Sequence, residues 1–427
     1  MAVDSKFLKG IFFKKHFFFR RESWGGFVIN MKSGEKFELD LPTAFLFESI
    51  EQRKYIPETN IEVTELLATS FFELNDCPTT KLSTISLKEP VQKKALLNAL
   101  DIPLNVTIYP SFDCNQKCSF CFVNSKKRCL SMLPLERWKE LVKEVYDLRI
   151  PYLSLLGGEP LLYRSNMELI NFANSIGQKI HVTTNGNHLD PLLPGELAKI
   201  EKLDITVSLH GSDTSHNDIT RGSSQTTKQF IKRLIQHGKI PTIHMVALEE
   251  TLLGALQLID FADANGIGTI SIGAYQPASD KKLKMISLYK LDEAVVRLQE
   301  YVRSKNYRVE IRLEACLRYS TQESTVLPTT FLSNMTSGCP AGKTSLEILS
   351  DGSVIPCVRF DTERGYCGSI VTHSLIEIWK NSILLHKLRA RTSNDSQCLA
   401  CPYATFCKGG CPAVTLDTQR RDPQCVR

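Results

Sequence analysis

The sequence predicts an α/β chain in three sections, and three observations carry that reading. Strand-like and helix-like patterns alternate from about residue 104 to residue 315, strands followed by helices fill the opening section, and cysteines crowd the end. Repeated βα units imply a parallel sheet, either open or curved into a full or partial barrel. The 427 residues suffice for two or three domains with a buried core, and 42% hydrophobic with 23% charged residues is the balance of an ordinary globular protein.

The opening section, residues 1–88, reads as a small domain of its own. "HFFFRRES", "GGFVINMK" and "EKFELD" are strand-like, with "SGE" as a hairpin turn between the last two. "PTAFLFESIEQR" and "VTELLATSFFEL" follow with helical spacing of apolar residues. Strands followed by helices over this length fit a winged-helix-like fold. A linker with Pro78 and Pro90 leads on.

The central section, residues 104–315, opens with the strand "NVTIYPS" and the helix "LERWKELVKEVYDL", then "PYLSLLGG" and "NMELINFANSIG". "KIHVTTNG", "LDITVSLHG", "PTIHMVAL" and "GTISIGAY" are further strands, "TKQFIKRLIQHG" and "LLGALQLIDFADANG" are helices between them, and "NYRVEIR" is one more strand. Ligands of such sheets gather at the carboxyl ends of the strands. "CNQKCSFC", residues 114–121, directly follows the first of these strands and so stands on that rim.

Composition narrows the rest. Apolar runs such as "IPYLSLLGG" are too short to span a bilayer. The N-terminus scatters charges through its apolar residues and offers no small-residue cleavage site, so neither a membrane nor a secretory route is expected and a cytoplasmic location is. The net charge of +6 is mild and reads as a solvated basic surface. Fourteen cysteines in a chain of this kind point to metal rather than disulfides. They form two regions: Cys114, Cys118, Cys121 and Cys129, then the residues 330–427 with Cys339, Cys357, Cys367, Cys398, Cys401, Cys407, Cys411 and Cys425. Cys77 and Cys129 read as plain thiols.

Thiolates are soft ligands that select zinc or iron–sulfur clusters. The first run offers no fourth ligand at a usual zinc spacing. A 4Fe–4S cluster held by three cysteines leaves one iron open, a vacancy suited to an amino and carboxylate chelate. Cys-x3-Cys-x2-Cys, with Phe120 before its last cysteine, resembles the signature of the radical S-adenosylmethionine (SAM) superfamily. That resemblance implies a partial (βα)6 TIM-like barrel and gives the open iron to SAM. It implies that Gly157, Gly158, Glu159 and Pro160 ("GGEP") form the turn facing the SAM ammonium, with Glu159 orienting the turn. It further implies a SAM-site role for Thr184 and Asn185 of "TTNG". Ser208 and Arg221 would hold the ribose or the methionine carboxylate, and Ile272 to Tyr275 ("IGAY") would pack on adenine. His210, in "SLHG", reads as structural. The chemistry so implied is reductive cleavage of SAM and hydrogen-atom abstraction from an unactivated carbon by a deoxyadenosyl radical.

Cys339, Gly352, Cys357, Cys398-x2-Cys401-x5-Cys407-x3-Cys411 and Cys425 resemble the SPASM extension, which in relatives carries two auxiliary 4Fe–4S clusters. By position, Cys398, Cys401, Cys407 and Cys425 would hold the second, and Cys339, Cys357 and Cys411 the first. The fourth ligand of the first is open between Cys367, Cys316 and a site left for substrate. SPASM relatives mostly modify peptides or proteins, and the opening section resembles domains that bind a leader peptide by strand addition. In sulfatase-maturing relatives an aspartate base follows the cysteine equivalent to Cys357; here Val358 and Arg359 follow, so formylglycine formation is not expected.

The resemblance therefore implies a peptide maturase installing a thioether or carbon–carbon cross-link on a ribosomally made precursor, fed electrons by a donor such as flavodoxin or ferredoxin. One alternative is a SPASM oxidoreductase acting on a folded protein or a small molecule. The non-enzymatic alternative is an iron–sulfur redox sensor that binds DNA. The SAM-site turns have no role in it, and Glu35 and Glu38 on the wing oppose nucleic acid. No catalytic base is assigned.

Overall fold

The computed structural model describes residues 11–14, 16–52, 71–74, 99–123, 130–188, 190–213, 217–218, 221–275, 286–314, 338–417, 421–422 and 425. Cys77, Cys129 and Cys316 lie outside them, as does most of "VTELLATSFFEL". The chain divides into two compact units, residues 1–101 with 327–337, and residues 102–326 with 338–427.

In the first unit, β1 (Ile11–Phe13) pairs antiparallel with β5 (Phe72–Leu74). The helical expectation for "VTELLATSFFEL" fails at its end, where Phe72–Leu74 is a strand; pairing with a segment some sixty residues away overrides local apolar spacing. β2 (Phe17–Glu22), β3 (Gly25–Asn30) and β4 (Lys36–Leu39) form a three-stranded antiparallel sheet, and α1 (Leu41–Glu51) follows. Asp40 caps α1, its carboxylate accepting from the Thr43 N–H at 2.9 Å. Gly26 lets α1 close on β3: a Cβ there would stand 2.9 Å from Ala44 Cβ. Trp24, Phe27 and Phe47 are fully buried in this unit.

The second unit is built on one row of strands. β6 (Asn105–Ile108), β7 (Tyr152–Leu155), β8 (Ile180–Thr184), β9 (Leu203–Ser208), β10 (Thr242–Ala247), β11 (Thr269–Ala274) and β12 (Glu310–Glu314) are parallel and pair in sequence order. Helices separate them: α2 (Leu135–Asp147), α3 (Arg164–Ser175), α4 (Leu193–Ala198), α5 (Ser224–Gln236), α6 (Glu249–Leu253), α7 (Ala255–Ala264) and α8 (Leu288–Ser304). In α2 the buried Trp138, Leu141, Val142 and Val145 follow the helical repeat, as Leu291, Val295, Leu298 and Val302 do in α8.

Strand alternation then sorts the two faces of the sheet. In β10, Ile243, Met245 and Ala247 belong to the main hydrophobic core, while Thr242, His244 and Val246 point to the opposite face. Each fully buried apolar side chain contributes about 1.5–3 kcal/mol, so a one-residue slip that turned this row outward is strongly disfavoured. The polar face of the sheet is thereby fixed by the apolar one.

The sheet does not end with the βα units. β13 (Ser345–Ile348) joins β6 in parallel, and β14 (Ser353–Ile355) and β15 (Gly368–Ser369) continue it antiparallel, giving ten strands in all. Gly352 turns the β13–β14 hairpin at φ +85°, a conformation glycine adopts without strain. The cysteine-rich region thus hangs directly on the first barrel strand. It continues through α9 (Leu375–Asn381), α10 (Ile383–Ala390), α11 (Ser396–Leu399), α12 (Ala404–Cys407) and α13 (Pro412–Thr415).

Candidate functional site: a cavity between two cysteine groups

The loop after β6 brings Cys114, Cys118 and Cys121 to the wall of a cavity of about 630 Å³. Backbone N–H groups of the same loop already point at sulfur: Gln116 N–H to Cys114 Sγ at 3.4 Å, and Val123 N–H to Cys121 Sγ at 3.4 Å. Such donors favour a charged or metal-bound sulfur. Burial pushes the Cys118 thiol up to about 11; the Arg221 guanidinium opposes that rise, and Cys121 and Cys114 add to it. Arg221 sits 3.4 Å from Gln116 Oε1 and lines the cavity. Burial lowers its pKa, while Cys118, Glu159, Cys114 and Cys121 act to raise it.

The turn after β7 presses against the start of this loop. Gly158 N–H donates to Ser111 O at 3.1 Å and Glu159 N–H to Asp113 O at 2.8 Å. A Cβ on Gly158 would stand 1.9 Å from Asp113 O, and one on Gly157, at φ +153°, 2.3 Å from Ser111 O. Only glycine permits that approach. Glu159 is 1% exposed and fully engaged. Its Oε1 accepts from Leu161 N–H at 3.0 Å and Thr184 Oγ1 at 2.8 Å and lies 3.2 Å from His188 Nε2; its Oε2 accepts from Asn185 N–H at 2.7 Å. The carboxylate ties the ends of β7 and β8 together and orients both turns. Asn185 Nδ2 reaches Asn115 Oδ1 at 2.7 Å, closing the link back to the cysteine loop.

Phe120, Gly157, Gly158, Glu159, Thr184, Asn185, Ser208 and Arg221 all line the cavity. Pro160 is buried at the start of a short 3₁₀ turn and does not. Ile272 does not either: it is 1% exposed in the main core, because its place in β11 turns it toward the helices. Ala274 and Tyr275 reach the cavity instead. His210 is fully buried; its Nε2 accepts from Val246 N–H at 3.3 Å and its ring lies 4.4 Å from that of Phe120. Burial, Arg221 and His244 hold it well below the usual imidazole range, so it is neutral and structural.

His244 carries no sequence assignment, yet it lines the cavity. Its Nδ1 lies 3.0 Å from Ser271 Oγ and 3.8 Å from Glu314 Oε2. The signal was a polar residue on the alternating face of an apolar strand, between Ile243 and Met245.

Cys339, Cys357 and Cys411 line the same cavity, with Val358, Arg359 and Asp361. A second group stands apart: Cys407 is pushed up to about 11 by burial and by Cys425, with Cys398 adding to the shift and Arg391 opposing it. Cys401 follows Cys398 by one backbone turn, its N–H donating to Cys398 O at 3.1 Å. Cys367 does not line the cavity. It is 8% exposed in the main core, its thiol donates to Gly365 O at 3.5 Å, and it is pushed up to about 12 by burial against the opposing effects of Ser382 and Arg389.

The donor sets fit iron–sulfur clusters: separated groups of thiols, none in a disulfide, with backbone donors and a guanidinium supplied for negative charge. Two family models match the chain, the radical SAM superfamily over residues 108–262 and the SPASM iron–sulfur cluster-binding domain over residues 339–402. Mycofactocin maturase MftC of Mycobacterium tuberculosis (strain CDC 1551 / Oshkosh) is 26% identical over 337 residues, spanning 77% of this chain and 84% of the relative. The antilisterial bacteriocin subtilosin biosynthesis protein AlbA of Bacillus subtilis (strain 168) is 25% identical over 339 residues, spanning 76% and 70%. The crystal structure of Streptococcus suis SuiB bound to S-adenosylmethionine shares the fold, with a TM-score of 0.82 at 24% identity over 97% of this chain and all of that one. The chain belongs to the radical SAM superfamily, as a member with the SPASM cluster-binding extension.

Proposed function

We propose that this enzyme uses SAM-derived radical chemistry to install a cross-link, a thioether or a carbon–carbon bond, on a ribosomally made peptide. One observation carries the reading: one cavity is lined both by Cys114, Cys118 and Cys121 and by Cys339, Cys357 and Cys411. Cys114, Cys118 and Cys121 would hold a 4Fe–4S cluster, which would supply the electron for reductive cleavage of SAM and so the hydrogen-abstracting chemistry. A peptide side chain in the cavity would meet both cysteine sets, and Cys339, Cys357 and Cys411 would hold a cluster suited to accept the electron released when a new bond closes.

The chain's own residues do the rest. Glu159 fixes the two turns, Arg221 and Ser208 present a cation and a hydroxyl to the SAM carboxylate or ribose, and Phe120 with Tyr275 excludes water. Cys398, Cys401, Cys407 and Cys425 hold the second auxiliary cluster. In the first unit, β2 and β4 are edge strands to which a leader peptide can add. Residues 1–88, 104–315 and 330–427 then serve recognition, radical generation and electron handling. The relatives support this reading: one is a mycofactocin maturase, one a subtilosin biosynthesis protein, and SuiB has been crystallised with the precursor peptide SuiA. A flavodoxin or ferredoxin supplies the electrons in the cytoplasm. Among the described residues no helix is long and apolar enough to cross a membrane.

The test is to incubate the anaerobically reconstituted enzyme with SAM, reductant and the short peptide encoded beside its gene. Loss of two hydrogen atoms from that peptide is expected. Unchanged peptide mass alongside abundant deoxyadenosine contradicts the proposal.

A further inference from the structure

The two auxiliary cysteine groups meet at one loop. Cys407 closes one group and Cys411 belongs to the other, with Lys408, Gly409 and Gly410 between them at φ +51°, +83° and +102°. Three successive residues in the left-handed region make a tight reversal that glycine tolerates and that needs holding. Arg391 supplies the hold. Its Nη2 donates to Gly410 O at 2.7 Å and to Cys407 O at 3.4 Å, and its Nη1 donates to Thr415 Oγ1 at 2.8 Å. Thr415 Oγ1 in turn donates to Cys411 O at 3.0 Å. One planar guanidinium thus reaches the backbone of both groups, which a lysine ammonium cannot do with the same geometry.

Charge accompanies the clamp. Burial lowers the Arg391 pKa, while Cys339, Cys407 and Cys411, members of both groups, act to raise it, as does Asp422. Asp422 is 2% exposed, and its Oδ2 accepts from the Cys411 N–H at 2.8 Å. A Cβ on Gly410 would stand 2.2 Å from Asp422 Cβ, so loop and carboxylate are in close contact. Arg391 and Asp422, of opposite charge, both hydrogen-bond to this loop, while the loop's own cation, Lys408, turns its Nζ to Arg389 O at 2.6 Å.

We infer that Arg391 is a positioning residue that holds the Cys407–Cys411 loop and sets the reduction potential of the auxiliary clusters by keeping a positive charge between them. Reduction adds negative charge to a cluster, and a fixed cation in a partly buried setting favours that state. Asp422 acts in the opposite sense. This inference rests on the assignment of clusters to these cysteines, and it is independent of the peptide substrate.

The test uses the full chain with Cys114, Cys118 and Cys121 replaced by alanine, so that only auxiliary signals remain, and follows reduction by EPR against solution potential. Arg391→Gln is expected to lower the ratio of reduced to oxidised cluster at fixed potential about tenfold, equivalent to about 59 mV for a one-electron couple. Asp422→Asn, which retains an acceptor for Cys411 N–H, is expected to shift the potential upward. Thr415→Val removes one arm without a charge and is expected to leave the potential in place, as is Arg391→Lys. Potentials unmoved by both Arg391→Gln and Asp422→Asn overturn the inference. If Arg391→Gln fails to retain iron, the sign of the Asp422→Asn shift decides, and no shift there also overturns it. Absence of auxiliary iron from the parent protein is a separate outcome that removes the cluster assignment itself.

Discussion

Two arginines face cysteine groups in this molecule, and they are held in opposite ways. Arg221 lines the cavity and, among the described residues, its guanidinium has one long hydrogen bond, to Gln116 Oε1 at 3.4 Å. Arg391 does not line the cavity and makes three hydrogen bonds to Thr415, Gly410 and Cys407. Burial raises the thiol beside each: Cys118 and Cys407 both move up to about 11. Similar thiols and similar cations therefore sit in two different designs. The first guanidinium faces the cavity, as the proposed binding of an anionic ligand requires, and the second is committed to the polypeptide. A radical-generating site must admit and release a small molecule; an electron-handling site must stay as it is.

The comparison breaks most sharply at the first group. Replacing Cys114, Cys118 and Cys121 by alanine is expected to abolish deoxyadenosine formation while iron falls from about twelve to about eight per chain, the auxiliary clusters being retained. Loss of all iron would join the two regions that the account separates. Gly158→Ala places a methyl group 1.9 Å from Asp113 O. The turn must shift, at a cost of about 1–3 kcal/mol, and SAM affinity by calorimetry should fall at least tenfold with iron unchanged. Arg221→Gln removes a cation without disturbing the backbone. A lost charge-assisted hydrogen bond of about 1.5–3 kcal/mol predicts SAM binding weaker by roughly ten- to a hundredfold. The smallest effect belongs to Cys367. Cys367→Ala should cost a modest amount of thermal stability and no iron, since its thiol lies in the core beside Ser382 and Arg389.

Legibility followed the reach of the physics. The seven parallel strands β6–β12 were readable because each carries its apolar run and turn within a few residues. The three cysteines of "CNQKCSFC" and the glycines of "GGEP" were readable for the same reason, their spacing being local. β13 was not placed in advance: "SLEI" is short, and only its pairing with Asn105–Ile108 makes it a strand. Phe72–Leu74 likewise takes its conformation from Ile11–Phe13. α8 carries a clear repeat in Leu291, Val295, Leu298 and Val302, and went unassigned although its signal was present. Ile272 differs by parity alone, since its strand reaches the cavity through Ala274 and Tyr275 while Ile272 turns into the core. Arg391 and Asp422 had no sequence signal, because a basic residue near cysteines does not reveal which carbonyls it reaches.

The central claim is that Cys114, Cys118 and Cys121 hold a cluster with one iron left for SAM. The most direct measurement is the EPR spectrum of the reduced, anaerobically reconstituted enzyme with Cys339, Cys357, Cys398, Cys401, Cys407, Cys411 and Cys425 replaced by alanine, recorded with and without SAM. A single cluster signal that changes on SAM addition is predicted. A cluster signal indifferent to saturating SAM would contradict the account.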